Sequence, residues 1–178
     1  GYVDRFAGSL LGLYDRLPHL ERLGVTYLHL MPLFDVPDGP NDGGYAVSSY
    51  REVAQRLGTM AQLAELATTP HERGMALVLD FVLNHTADEH VWAEAAKTGD
   101  PDKQATYWVF DDREELEAYA RNLREIFADR GGDAFIWRHG LAGGKWVWST
   151  FYPFQWDLNY SNPAVLTAIF GEMLFLAN

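Results

Sequence analysis

The 178 residues, 48% hydrophobic and 14% aromatic, suffice for a buried core and argue against a disordered tail. With 25 acidic against 14 basic residues the net charge is −11, and the Lys and Arg residues are dispersed, which argues against nucleic acid as a partner. Cysteine is absent, removing disulfides, thiolate metal sites and cysteine nucleophiles together. The chain opens at Gly1 with no initiating Met, no basic leader and no long apolar stretch. No membrane span is expected, the N-terminus reads as cut, and a cytoplasmic location is expected.

In chain order, residues 2–6 predict a short strand, and Leu10, Leu13, Leu17 and Leu20 fall at helical spacing before Gly24 closes that helix. Residues 25–32 (VTYLHLMP) predict a strand buried on both faces, followed by a Gly-rich loop at 37–45. Met60, Leu63 and Leu66 give a second helical face running through Pro70 towards Gly74, and residues 75–82 (MALVLDFV) predict another buried strand. This β-α-β-α-β order implies a parallel sheet with functional groups beyond the C-terminal ends of its strands, in a barrel or an open sheet.

Residues 84–162 break the alternation with a long, irregular, aromatic-rich insertion, in which a helix is expected over 113–127 and a Trp-rich run follows at 146–156. After Pro163, the residues Val165, Leu166, Ile169, Phe170, Met173 and Leu174 predict a helix with the proline in its first turn. A β/α unit finishing on a helix leaves a sheet edge open, so the piece is expected to be unfinished at Asn178 and to aggregate or stay molten alone.

The sharpest local signal is DFVLNH at 80–85, a strand ending in Asp80, Asn84 and His85. His85 there could donate to a polar ligand, or simply be a satisfied histidine at a capped strand end. Asp42, Gly43, Gly44 and Tyr45 follow the preceding strand, where the paired glycines permit a tight path presenting a carboxylate beside a ring. Such a pair suits a sugar, whose apolar face a ring can cover while polar groups hold its hydroxyls; an Asp-Gly turn with a packed tyrosine is the plainer alternative. The rings at Trp146, Trp148, Phe151, Phe154 and Trp156 read mostly as core, and the acids of 111–117 as a solvated helix face.

Together these motifs resemble the α-amylase family of glycoside hydrolases and transglycosylases, family 13. DFVLNH at 80–85 is similar to that family's region at the end of the third barrel strand, and QWDLN at 155–159 to its QPDLN-type signature, with Trp156 where proline is frequent. Within the family, YLHLMPLF (27–34), DGGYAVSSYREV (42–53), LREIF (123–127), FQWDLNYSNP (154–163) and GEMLFLAN (171–178) look most like the amylosucrases.

The resemblance implies an α/β fold, a partial TIM-type (β/α)8 barrel. Residues 1–83 would form its first units, strands 1–3 with helices; 84–161 an inserted B-type domain; and 162–178 the third barrel helix. It implies that Asp42, Tyr45 and His85 line a glucosyl pocket bordered by Phe151. Asp42 would also pair with an arginine outside this chain. Arg124 and Phe127 would lie on the acceptor side, with Asp80 and Asn84 organising the strand end.

The nucleophile and the acid/base are expected beyond Asn178, so the chain alone is expected to be inactive. No metal or cofactor is expected, the resemblance being to a calcium-independent branch although Asn84 matches a calcium-binding position of many α-amylases. The implied reaction cleaves sucrose with retention and passes glucose to an α-1,4-glucan acceptor. Another sucrose- or α-glucoside-acting hydrolase or phosphorylase, or a non-catalytic carbohydrate-binding relative, stays open beside it.

Overall fold

The computed structural model describes residues 1–122, 126, 134–141 and 143–178. Two successive units share one construction. Helix α2 (Leu10–Arg22) starts where the Ser9 side chain accepts from the Gly12 N–H, and it buries Leu10, Leu13, Leu17 and Leu20. Helix α3 (Met60–Glu72) starts on a reciprocal capping box between Thr59 and Gln62 and buries Leu63, Leu66 and Pro70. Each helix hands the chain to a strand through a glycine in the left-handed region, Gly24 at φ 74° and Gly74 at φ 73°. The strands they feed, β1 (Tyr27–Leu30) and β4 (Ala76–Leu79), pair in parallel, Tyr27 opposite Ala76 and Leu30 opposite Leu79.

Between β1 and α3 runs an antiparallel hairpin of β2 (Phe34–Asp35) and β3 (Ser49–Val53). Its buried Tyr50 donates to the Val82 carbonyl at 2.8 Å and stacks on Phe81 with ring centroids 4.7 Å apart. The hairpin thereby fixes the segment leaving β4.

Three expectations are corrected. Residues 2–6 are not a strand: Val3–Ala7 is a short helix, α1, which buries Val3 and ends at Gly8 with φ 80°. The described residues therefore hold two parallel strands, not three. Nor is the parallel pair buried on both faces. Along β1, Leu28 and Leu30 are buried while Tyr27 is 72% exposed, because no element among the described residues covers the other face.

Finally, the stretch after β4 is regular, not irregular. Strand β5 (His85–Ala87) is followed by α4 (Val91–Lys97), α5 (Pro101–Gln104), β6 (Val109–Phe110) and α6 (Arg113–Ala120). Then come β7 (Phe135–Arg138), β8 (Lys145–Trp148) and β9 (Gln155–Asp157). Strand β8 lies between β6 and β7, and β5 pairs antiparallel with β9, His85 opposite Asp157. The helix expected over 113–127 is α6, which ends earlier, at Ala120, with Arg121 as its C-cap. Helix α7 (Pro163–Ala177) begins with Asn162 capping the Ala164 N–H and Pro163 in the first turn, as the sequence predicts.

Of the five rings expected to be mostly core, only Trp156 is buried, and Trp146, Trp148, Phe151 and Phe154 are partly buried. Trp156 is wholly buried edge-on to Tyr107, and Phe110 and Phe135 form a second cluster flanked by Trp108, Trp146 and Trp148.

Candidate functional site

Parallel pairing brings the ends of β1 and β4 together, and the segments that follow them carry the polar residues singled out from the sequence. After β1, the loop turns through a single 3-10 turn at Asp42–Gly44. The Asn41 side chain accepts from the Gly44 N–H at 3.2 Å and donates to the carbonyls of Pro37 and Gly39. Asp42 is held at φ 55°, the one positive-φ residue other than glycine among those described. Gly44 sits at φ 104°, where an added Cβ would stand 3.1 Å from the Pro32 carbonyl oxygen, so the turn needs glycine on both counts.

After β4, Asp80 accepts from the Tyr45 hydroxyl at 3.3 Å and stands 3.9 Å from His29 Nε2. Burial, together with the Asp80 carboxylate, raises the pKa of the Tyr45 phenol, so the ring stays neutral and its hydroxyl stays a donor.

Buried His85 opens β5. Its Nδ1 lies 3.3 Å from the Asn84 amide nitrogen, which puts the proton on Nε2, facing the Tyr45 carbonyl at 3.1 Å. Desolvation lowers its pKa to about 4, partly offset by that carbonyl, so the ring is neutral near pH 7. Both readings of this residue meet here. The ring nitrogens are satisfied by the chain, and Nε2–H can reach a ligand only by sharing or leaving the Tyr45 carbonyl. Phe151 packs on the ring, centroids 5.2 Å apart.

Strand β9 supplies a second layer. Asp157 accepts from the Thr150 backbone N–H at 3.1 Å, from the Thr150 hydroxyl and from the Asn84 side chain. Burial outweighs those bonds and raises its pKa to about 6. Gln155 donates to Asp42 Oδ2 at 3.3 Å.

The structure thus gathers Asp42, Tyr45, Asp80, Asn84, His85 and Phe151 around one set of strand ends. Arg124 and Phe127 lie outside the described residues. Gln155 and Asp157 were missed as site residues, although period-2 alternation in QWDLN puts them on one face of a strand. Carboxylates, a neutral imidazole and two half-buried rings at the C-terminal ends of parallel strands make a surface for a polyhydroxylated ligand.

This is the layout of a barrel-type carbohydrate-active enzyme. The catalytic-domain profile of α-amylase matches residues 3–178, and the chain belongs to the α-amylase family. It is 33% identical over 168 residues to trehalose synthase of Pimelobacter sp. (strain R48), covering 94% of this chain and 28% of that protein. Glucan 1,6-alpha-glucosidase of Streptococcus dysgalactiae subsp. equisimilis is 32% identical over 168 residues, 94% of this chain and 29% of that one.

Among solved structures, isomaltulose synthase of Erwinia rhapontici NX5, a mutant in complex with its natural substrate sucrose, superposes with a TM-score of 0.80 at 29% identity. That match covers 94% of this chain and 28% of the other. Trehalose-6-phosphate hydrolase of Bacillus licheniformis gives a TM-score of 0.80 at 29% identity, covering 94% and 29%. The chain therefore spans under a third of the relatives it matches, and the partial barrel expected from the sequence is consistent with these neighbours.

Proposed function

We propose that these residues form part of the glucosyl pocket of a retaining α-glucoside-acting enzyme whose donor is sucrose, and which passes glucose to the 4-hydroxyl of an α-glucan. Asp42 would bind hydroxyls of the ring, Tyr45 would cover its apolar face, His85 would offer Nε2–H, and Phe151 would close one side. Within the intact protein, residues 1–83 would belong to the barrel, 84–161 to an inserted domain and 162–178 to the following barrel helix. Arg124 and Phe127 would serve the acceptor side.

Retention calls for two closely spaced carboxyl groups, one attacking the anomeric carbon to form a glucosyl ester and one protonating the fructosyl oxygen, then activating the acceptor. Both would lie outside these 178 residues. The cluster described here would orient the sugar for that pair. The observation that carries the reading is the convergence of Asp42, Tyr45 and His85 at the ends of β1 and β4, tied by the Tyr45–Asp80 and His85–Tyr45 bonds. The runs DGGYAVSSYREV and FQWDLNYSNP favour amylosucrase-type transfer within the family.

A second reading, sucrose isomerisation or hydrolysis, draws support from the likeness to isomaltulose synthase. Product analysis of the intact enzyme with sucrose and an α-glucan primer separates them. Free fructose with lengthened glucan is the expected result. Isomaltulose or free glucose alone would move the protein to the second reading, glucose 1-phosphate in phosphate buffer would make it a phosphorylase, and no turnover of sucrose would remove both readings.

A further inference from the structure

Strand β9 sends Gln155 and Asp157 to one face and Trp156 to the other, where Trp156 meets Tyr107. Its two polar side chains do different work. Asp157 is occupied by Thr150 and Asn84, whereas Gln155 reaches across to the loop after β1.

Gln155 is wholly buried, and its Oε1 has no partner among the described residues. An unpaired buried oxygen destabilises the fold, and leucine at this place would avoid that cost. The presence of an amide is then explained by its other end, whose Nε2 donates to Asp42 Oδ2 at 3.3 Å. No other side chain among the described residues donates to that carboxylate. The loop backbone is already fixed by Asn41, which leaves the Asp42 side-chain rotamer as the remaining freedom.

We infer that Gln155 is a positioning residue that aims the Asp42 carboxylate at the sugar hydroxyls. The inference rests on the glucosyl-pocket reading. Because the donor comes from β9 and the acceptor from the loop after β1, the bond also couples the segment after β8 to the barrel end. Inverting the bond's polarity gives its signature: a carboxylate at 155 would face Asp42 with like charge, and a single shared proton would restore a donor as the pH falls.

The test uses the intact enzyme with sucrose. Gln155→Leu should lower kcat/KM about tenfold or more, the factor attached to a hydrogen bond to a charged group, with the melting temperature unchanged or raised. In an Asp42→Ala background the same change should alter kcat/KM less than about twofold, since the bonded acceptor is already gone. Gln155→Glu should fall below Gln155→Leu at neutral pH and recover towards pH ~5, a profile the wild type lacks.

Wild-type-like kcat/KM in Gln155→Leu, or an undiminished loss in the Asp42→Ala background, would overturn the inference. If the unaltered enzyme turns over neither sucrose nor another α-glucoside, the pocket reading fails instead. A crystal structure of Gln155→Leu then decides the positioning role: a rotated Asp42 carboxylate supports it and an unmoved one refutes it.

Discussion

Replacing His90 by asparagine should flatten the acid limb of the stability curve. His90 is the N-cap of α4, its Nδ1 accepting from the Trp92 N–H at 3.1 Å, and it is 3% exposed against the rings of Trp92 and Tyr50. Burial first, and the Lys103 charge second, lower its pKa from 6.5 to about 4. A protonated ring can neither accept the capping bond nor sit cheaply beside Lys103.

Below pH 6.5 the unfolded chain takes a proton that the folded chain refuses, so the contribution is complete above the unfolded value and drains away as pH falls towards 4. With 1.36 kcal/mol per unit, the drop between pH 7.5 and 4.5 is about 2–3 kcal/mol. Asparagine keeps a capping acceptor and does not titrate, but forfeits ring packing, costing about 1–2 kcal/mol at pH 7.5.

The expected result in urea unfolding of the intact enzyme, followed by tryptophan fluorescence, is a wild-type advantage at pH 7.5 that vanishes or reverses at pH 4.5. The difference between the two proteins is the quantity to read, because His85 falls in the same direction and Asp157, whose raised pKa makes ionisation costly above the unfolded value, moves oppositely in both. A gap that stays constant with pH within about 0.5 kcal/mol would refute a buried, neutral His90 cap.

Tyr50→Phe removes the buried donor to the Val82 carbonyl and should destabilise the enzyme by about 1–2 kcal/mol in denaturant unfolding. Gly44→Ala places a Cβ against Pro32 at φ 104° and should cost about 1–3 kcal/mol, with a rise in KM because the Asp42 turn shifts. Trp156→Ala, which empties a wholly buried site beside Tyr107, should cost about 3–5 kcal/mol by thermal or denaturant unfolding. In all three cases an unchanged midpoint would count against the packing described.

The helices α2, α3 and α7 were legible because leucines at helical spacing, Gly24, Gly74 and Pro163 mark faces and ends locally. The strands β1 and β4 were legible as apolar runs between breakers, but their open face was not, since burial depends on what packs above them. Residues 2–6 misled because so short a window fits a strand as well as a turn and a half of helix. Only the buried Val3 and the left-handed Gly8 decide it.

Strands of two to four residues in 84–161 escaped because their pairing is long-range: His85 meets Asp157, and β8 lies between β6 and β7. The same pairing explains the site. Asp42, Tyr45 and His85 could be picked out by type and strand-end position, yet the satisfied state of His85 and the support from Gln155 follow from contacts that no local pattern encodes.

The most direct test of the central claim is a crystal structure of the intact enzyme with sucrose, using a variant that binds but does not turn it over. The expected result is the glucosyl ring against Tyr45 and Phe151, with hydroxyls within hydrogen-bond distance of the Asp42 carboxylate and of His85 Nε2. A sugar seated away from the ends of β1 and β4, with Asp42 and His85 unengaged, would contradict it.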